Sequence, residues 1–328
     1  MTPQSPIGIL GGGAWGTALA VAAVGAGRDV ALVMRDRVAA EEAEHERTNA
    51  RCLPGIRLPS AIRISSVAGE LAGCGAILLA VPAQAVRSAL AGLDVAPATP
   101  LVICAKGIEQ GTGSFLSDVV GAVRPDAPLA VLSGPGFAAD VARGLPTAVS
   151  LASREPDLAR SLAASLSGPA LRVYHGTDVR GVEIGGAAKN VLAIAVGIVD
   201  GRGLGESAKA ALTARGFAEL VRFAVAHGAR PDTLSGLSGL GDVVLSCASV
   251  ASRNFALGVR LGAGLGPDPA GKLTEGATTA GALVDLARRA GVEMPVAEAV
   301  SAVVAGRLDV DAAAEALMSR PLRAEAGP

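Results

Sequence analysis

IGILGGGAWGTALA, residues 7–20, decides the fold of this chain. Four apolar residues, Ile7–Leu10, run into a cluster of glycines, and an apolar helical pattern follows from Trp15 to Ala26. Strand, glycine turn and helix is the order in which a nucleotide-binding α/β unit begins. Gly11, Gly13 and Gly16 stand in GxGxxG spacing. The first glycine permits the tight turn, the second lets a pyrophosphate approach the backbone, and the third lets helix and strand pack closely. The helix N-terminus, at Ala14 and Trp15, then offers unpaired N–H groups and a positive dipole end to phosphates. GxGxxG alone is a weak signal in a chain with 43 Gly. Its place after an apolar strand and before an apolar helix makes dinucleotide binding the expected reading.

Outward from this unit the pattern repeats. Val30–Met34, Ala76–Val81, Leu101–Ala105, Leu129–Leu132 and Val149–Ala152 are short apolar runs separated by helical patterns. Continuous apolar runs suit strands buried on both faces, and their alternation with helices predicts a parallel sheet covered on both sides. After Val173 the strand runs stop. Val182–Asp200, Ser207–His227, Thr278–Ala290 and Ala297–Val304 read as helices. The expected fold is α/β: an N-terminal Rossmann-like doubly wound parallel sheet over residues 1–175 and a C-terminal all-helical domain over 176–328. Pro321–Pro328 reads as a frayed end.

Composition narrows the function. At 328 residues, half of them apolar, two domains with sizeable cores are expected. A formal charge of −1 argues against a nucleic-acid binder, and one Trp, one Tyr and five Phe leave little for base stacking. Cys52, Cys74, Cys104 and Cys247 are scattered singly, which suits a reducing cytoplasm. The three His share no ligand spacing, so no metal is expected. The charge-free run Ile7–Gly27 is broken by glycines and follows no basic segment, so no signal peptide or integral membrane contact is expected. A homodimer is the base-rate expectation.

Chemistry concentrates at a few polar positions. Arg35-Asp36-Arg37 follows the second strand, where an acidic residue would bond a ribose hydroxyl and an Arg would accept a 2′-phosphate. Arg35 comes first, which favours NADP(H) and leaves NAD(H) open. Of 29 basic residues only Lys106, Lys189, Lys209 and Lys272 are Lys. In an Arg-rich chain, a retained Lys suggests a task such as yielding a proton. Lys106 follows the strand ending at Ala105, on the edge where ligands of parallel sheets bind, and SGPGFA (133–138) follows the next strand on the same edge. Lys189-Asn190 lies in an apolar helix, where an ammonium needs a partner or a function. GLSGLGD reads as a glycine-rich loop whose Asp242 could pair with Lys189, and Ser252-Arg253-Asn254 is a polar trio suited to an anion.

Together these segments resemble the bacterial type of NAD(P)-dependent glycerol-3-phosphate dehydrogenase. The likeness runs through GGGAWGTALA, NARCLPGIRLP, LLAVPAQAVR, AKGIE, SGPGFAADVARGLPTA, AAKNVLAIAVGIVDG, GLSGLGDVVLSCAS, SRN and LTEGATTAG. It implies reversible reduction of dihydroxyacetone phosphate to sn-glycerol 3-phosphate for glycerophospholipid synthesis. It further implies that Trp15, Arg35, Lys106, Ala138, Arg253, Leu273 and Glu275 contact the dinucleotide. Lys106, Gly134, Gly136, Lys189, Asp242, Ser252, Arg253 and Asn254 would line the substrate site, with Lys189 as proton donor, Asp242 its partner, and Asn190 and Lys106 as orienting catalytic groups. Asn49, Asn190 and Asn254, the chain's three Asn, all fall in resembling segments. The chain departs from the family pattern at Gly136 (usually Ser or Thr), Ser207 (Asn), Val33 (often Trp) and Cys52 (aromatic). Gly136 puts one substrate hydroxyl contact in doubt. Two other readings stand beside this one: a related two-domain reductase of 2-oxo or hydroxy acids, which would need a carboxylate site in place of the trio, and a non-catalytic nucleotide sensor, which would need no proton donor.

Overall fold

The computed structural model describes residues 5–266 and 274–318. Its first half runs β1 (Ile7–Leu10), α1 (Ala14–Gly25), β2 (Val30–Val33), α2 (Arg37–Glu46), β3 (Thr48–Asn49), β4 (Leu53–Arg57), β5 (Ile62–Ser65), β6 (Ala76–Leu79), α3 (Val86–Ala91), β7 (Leu101–Ile103), α4 (Leu116–Val123), β8 (Leu129–Ser133), α5 (Ala138–Ala142), β9 (Thr147–Ser153), α6 (Pro156–Leu166) and β10 (Leu171–Gly176). The second half is helical: α7 (Val179–Gly201), α8 (Glu206–Ala226), α9 (Pro231–Ser235), α10 (Asp242–Cys247), α11 (Arg253–Gly262), α12 (Glu275–Arg289), α13 (Pro295–Val304) and α14 (Val310–Met318). Pro321–Pro328 lies outside the described residues.

Eight strands form one sheet in the order β10-β9-β8-β7-β6-β1-β2-β5, and β3 and β4 form a separate small hairpin. The chain leaves β1 for β2 on one side and returns to β6 on the other. That reversal opens a crevice beyond the carboxyl ends of β1 and β6, the general ligand position in open α/β sheets. The central strand Ala76–Leu79 is wholly buried, as its unbroken apolar run requires.

The sheet is parallel-dominated, not wholly parallel. β9 pairs antiparallel with β8, and β10 parallels β9. The five residues of α5, about 7.5 Å of helix, are too short to carry the chain back along a strand. β5 and β10 add two strands to those expected. Each alternates buried and exposed residues as an edge strand does, so a search for continuous apolar runs passes over them.

The helical half is built around α7. It is long and apolar enough to cross a membrane by length and composition, yet 89% of that apolar window is buried inside the protein. α11 crosses it at backbone contact. A Cβ on Gly197 would lie 2.2 Å from the Phe255 carbonyl oxygen, and one on Gly258 would lie 2.1 Å from that of Ile194. Gly201 and Gly262 repeat the contact one turn on.

Candidate active site

The β1–α1 turn meets the demands that its sequence implied. Gly11 has φ +120°, and a Cβ there would lie 2.7 Å from the Ala80 backbone. At Gly16 a Cβ would fall 1.9 Å from the Gly11 carbonyl oxygen, whereas at Gly13 it would meet no atom within 4 Å. Packing therefore requires the outer glycines, and the middle one fronts open space. α1 begins at Ala14 with no side-chain cap and no acidic residue in its first turn, so its dipole is uncompensated. This cradle fits a dinucleotide pyrophosphate. Trp15 reaches across to the β8–α5 turn, where a Cβ on Gly136 would stand 3.4 Å from its ring.

Arg35 is exposed just past β2. Asp36 caps α2, its Oδ1 accepting from the Ala39 N–H at 3.1 Å, and its Oδ2 pairs with Arg51 at 3.1 Å.

Two lysines meet on one carboxylate. Lys106 Nζ, just past β7, donates to Asp242 Oδ2 at 2.6 Å and to the Gly134 carbonyl at 3.0 Å. Lys189 Nζ, midway along α7, donates to Asp242 Oδ1 at 2.6 Å and to Ser246 Oγ at 2.8 Å. Asp242 is 1% exposed and Lys189 8%. Burial drags the Lys189 pKa down to about 8; the Asp242 charge opposes the shift and the Lys106 charge adds to it. Burial raises Asp242, but the two ammonium groups outweigh it and hold the carboxyl below its usual range.

GLSGLGD is helical rather than a loop. Leu237–Gly241 forms a π-helical turn that runs into α10, with Asp242 as the first residue of that helix. Glycines allow it: a Cβ on Gly185 of α7 would lie 2.4 Å from the Ser238 carbonyl oxygen. Ser246 follows Asp242 by four residues on one helical face, so its role was hidden while the segment read as a loop.

The polar trio opens α11. Ser252 caps the helix by accepting from the Phe255 N–H, at 3.4 Å. Arg253 is exposed at the first helical position. Asn254 donates to Asn190 Oδ1 at 2.9 Å and accepts from the Gly276 N–H at 2.9 Å, so the two Asn tie α7, α11 and α12 together. Glu275 opens α12, and its Oε1 accepts from the Ala83 N–H at 3.2 Å. Burial raises its pKa, against that hydrogen bond and the Arg253 charge. Gly134, at φ +152°, lets Val149 pack closely, and Ala138 starts α5. Leu273 lies outside the described residues.

Four buried polar atoms border this crevice without a hydrogen-bond partner among the described residues: Trp15 Nε1, Ser133 Oγ, Glu275 Oε2 and Thr279 Oγ1. Ser133 Oγ faces Gly186 of α7, and the Glu275 and Thr279 oxygens both face Gly107. Such atoms suit a polar ligand. Ser133 and Thr279 fall in segments that the sequence singles out, SGPGFA and LTEGATTAG, but neither received a role there, because a hydroxyl's partner is set by what faces it in the fold. Among the described residues, no three His, Cys, Asp or Glu side chains converge as a metal site. The crevice thus joins a nucleotide cradle, a buried proton-bearing lysine and a cationic helix N-terminus.

The family model for the N-terminus of NAD-dependent glycerol-3-phosphate dehydrogenase matches residues 6–159, and that for the C-terminus matches 178–315. The chain is 59% identical over 330 residues to the NAD(P)+ glycerol-3-phosphate dehydrogenase of Methylobacterium radiotolerans, covering 99% of both chains. It is 58% identical to that of a Bradyrhizobium species, covering 99% of this chain and 100% of the relative. The crystal structure of the Coxiella burnetii glycerol-3-phosphate dehydrogenase superposes with a TM-score of 0.90 at 36% identity, covering 97% of this chain and 100% of that one. A ketopantoate reductase from Ralstonia eutropha, at 17% identity and a TM-score of 0.60, shares the fold alone. The acid-reductase and sensor readings are therefore not favoured. The chain belongs to the NAD-dependent glycerol-3-phosphate dehydrogenase family, NAD(P)-dependent oxidoreductases that interconvert dihydroxyacetone phosphate and sn-glycerol 3-phosphate.

Proposed function

We propose that Lys189 is the proton donor for reduction of dihydroxyacetone phosphate; the observation that carries this is its buried ammonium, held on the carboxylate it shares with Lys106. A bound nicotinamide supplies the hydride that C2 accepts. As charge builds on the C2 oxygen, Lys189 Nζ delivers a proton to it, and takes one back in the oxidative direction. A lysine whose pKa burial brings to about 8 suits both directions, and such acid help is worth about 10²–10⁴-fold. Asp242 fixes Nζ and offsets the cost of burying it. Lys106, Gly134 and Gly136 border the substrate where it meets the cofactor, and Asn190 orients it. Ser252, Arg253 and Asn254, at the N-terminus of α11, receive the phosphate. Gly11, Gly13, Ala14, Trp15 and Gly16 hold the pyrophosphate, and Arg35, Lys106, Ala138, Arg253 and Glu275 complete the dinucleotide site among the described residues.

NADP(H) is the preferred coenzyme in this reading. Both Asp36 oxygens already accept a hydrogen bond, from the α2 cap and from Arg51, while Arg35 is exposed just past β2, where a 2′-phosphate would lie. Residues 1–175 form the nucleotide domain and 176–328 the substrate domain. The enzyme works in the cytoplasm without integral membrane contact, a reading supported by the isolated cysteines and the burial of α7, and the homodimer rests on base rate alone.

The test is the loss of reduced-cofactor absorbance on adding dihydroxyacetone phosphate, with NADPH and NADH in separate assays and Arg35→Ala alongside. The expected result is turnover, none with 2-oxo acids, and a larger loss of kcat/KM for NADPH than for NADH in the variant. Equal losses for both coenzymes would remove Arg35 from the 2′-phosphate site.

A further inference from the structure

Asn49 stands outside the glycine motif and outside the crevice, yet it holds the nucleotide loop from behind. It lies on β3 and is 4% exposed. Its Nδ2 donates to the Gly12 carbonyl oxygen at 2.8 Å and to Thr17 Oγ1 at 2.9 Å. Both amide hydrogens are thus used, one on the loop and one on α1. Thr17 is itself wholly buried, and its N–H closes the first turn of α1 on the Gly13 carbonyl at 2.9 Å.

The consequence follows from the peptide unit. A trans peptide is planar, with its C=O and N–H pointing in opposite directions, and no cis bond occurs among the described residues. The Gly12 carbonyl and the Gly13 N–H belong to one such unit. Fixing the carbonyl toward Asn49 fixes the N–H away from it, on the loop's far side, where Gly13 borders open space. Glycines on either side would otherwise let this peptide flip at little cost. We infer that Asn49 is a positioning residue for the dinucleotide pyrophosphate: its amide locks the Gly12–Gly13 peptide so that the Gly13 N–H is aimed at the phosphate oxygens. The inference rests on the nucleotide reading of the glycine loop. It assigns no contact between Asn49 and the cofactor.

The chemistry requires a donor at this position. An Asp of the same shape would set a carboxylate against the Gly12 carbonyl and turn the peptide the other way. An Ala would leave the peptide unrestrained. Loss of a well-aimed hydrogen bond to a charged phosphate is expected to weaken binding about tenfold or more.

Trp15 is the chain's only Trp and lies in the first turn of α1, next to the loop, so its fluorescence reports binding without turnover. The titrants are ADP-ribose, which carries the pyrophosphate, and 2′-AMP, which lacks it. For Asn49→Asp and Asn49→Ala, ADP-ribose, NADPH and NADH should all bind about tenfold more weakly, with 2′-AMP unchanged. In the assay KM for NADPH should rise while KM for dihydroxyacetone phosphate holds. Thr17→Ala, which leaves the bond to Gly12, should shift ADP-ribose binding less than twofold. ADP-ribose affinity within twofold of the parent in a folded Asn49→Ala protein would overturn the inference. So would an equal loss of 2′-AMP binding, or an Asn49→Ala chain that does not fold, since either assigns Asn49 to general stability. A parent protein that binds no ADP-ribose would instead overturn the nucleotide reading itself.

Discussion

Two of the chain's four lysines meet on Asp242, and the proposed mechanism assigns the proton to Lys189. Replacing Lys189 by Ala should lower turnover at least about 10³-fold, since proton transfer and charge stabilisation are lost together. NADPH binding, read by Trp15 fluorescence, should survive. Lys189→Arg should fail similarly, because a guanidinium does not release a proton near neutral pH; near-normal activity in either variant would sink the assignment. Reduction needs the ammonium, so its rate should fall as pH rises through about 8. The Asp242 charge raises the Lys189 pKa, so Asp242→Asn should move that limb to lower pH, besides lowering kcat. A limb that stays put in the pH–rate profile would separate the two residues. At this scale much was legible: a scarce Lys inside an apolar helix is conspicuous, and its carboxylate partner was the acid of a nearby glycine-rich segment. Ser246 and Thr279 were not legible, because a hydroxyl acquires its meaning only from what faces it.

Elements came through where their pattern is internal and blurred where neighbours impose it. β1, β2, β6, β7 and β8 are buried on both faces, and their apolar runs announce them. The reversal at β9 depends on the shortness of α5, and the π-helical turn before Asp242 depends on how closely α7 approaches it. Neither condition is written in a single segment. The α7–α11 crossing is of the same kind. Its four glycines look like loop residues in isolation but are the points where two backbones touch. Gly258→Ala places a methyl 2.1 Å from the Ile194 carbonyl oxygen, and the cost should be about 1–3 kcal/mol. Denaturant unfolding should show a lower midpoint with an unchanged slope. A midpoint equal to the parent's would mean that the helices separate freely at this crossing.

The two halves of the molecule are joined by contacts far apart in sequence. Glu183 of α7 is buried and accepts from Ser117 of α4 twice, through its N–H and its Oγ, each at 2.7 Å. Arg180, one turn earlier, bonds both Glu183 and Asp118 and lies over the Phe115 ring. Glu183→Ala would strand two buried donors, and unfolding free energy should drop by about 3 kcal/mol. A drop under about 0.5 kcal/mol, the scale of surface substitutions, would show that other contacts hold the halves together. The sequence foretold a sheet followed by helices, but not this joint, since no periodicity records which helix meets which. Across the whole molecule the formal charge is −1, while two ammonium groups on one carboxylate leave the crevice floor with one positive unit in excess. Such a floor is expected to favour an anionic substrate over a neutral one of the same shape. Inorganic phosphate and sulfate are then expected to compete with the substrate, so its KM should rise with their concentration and with ionic strength.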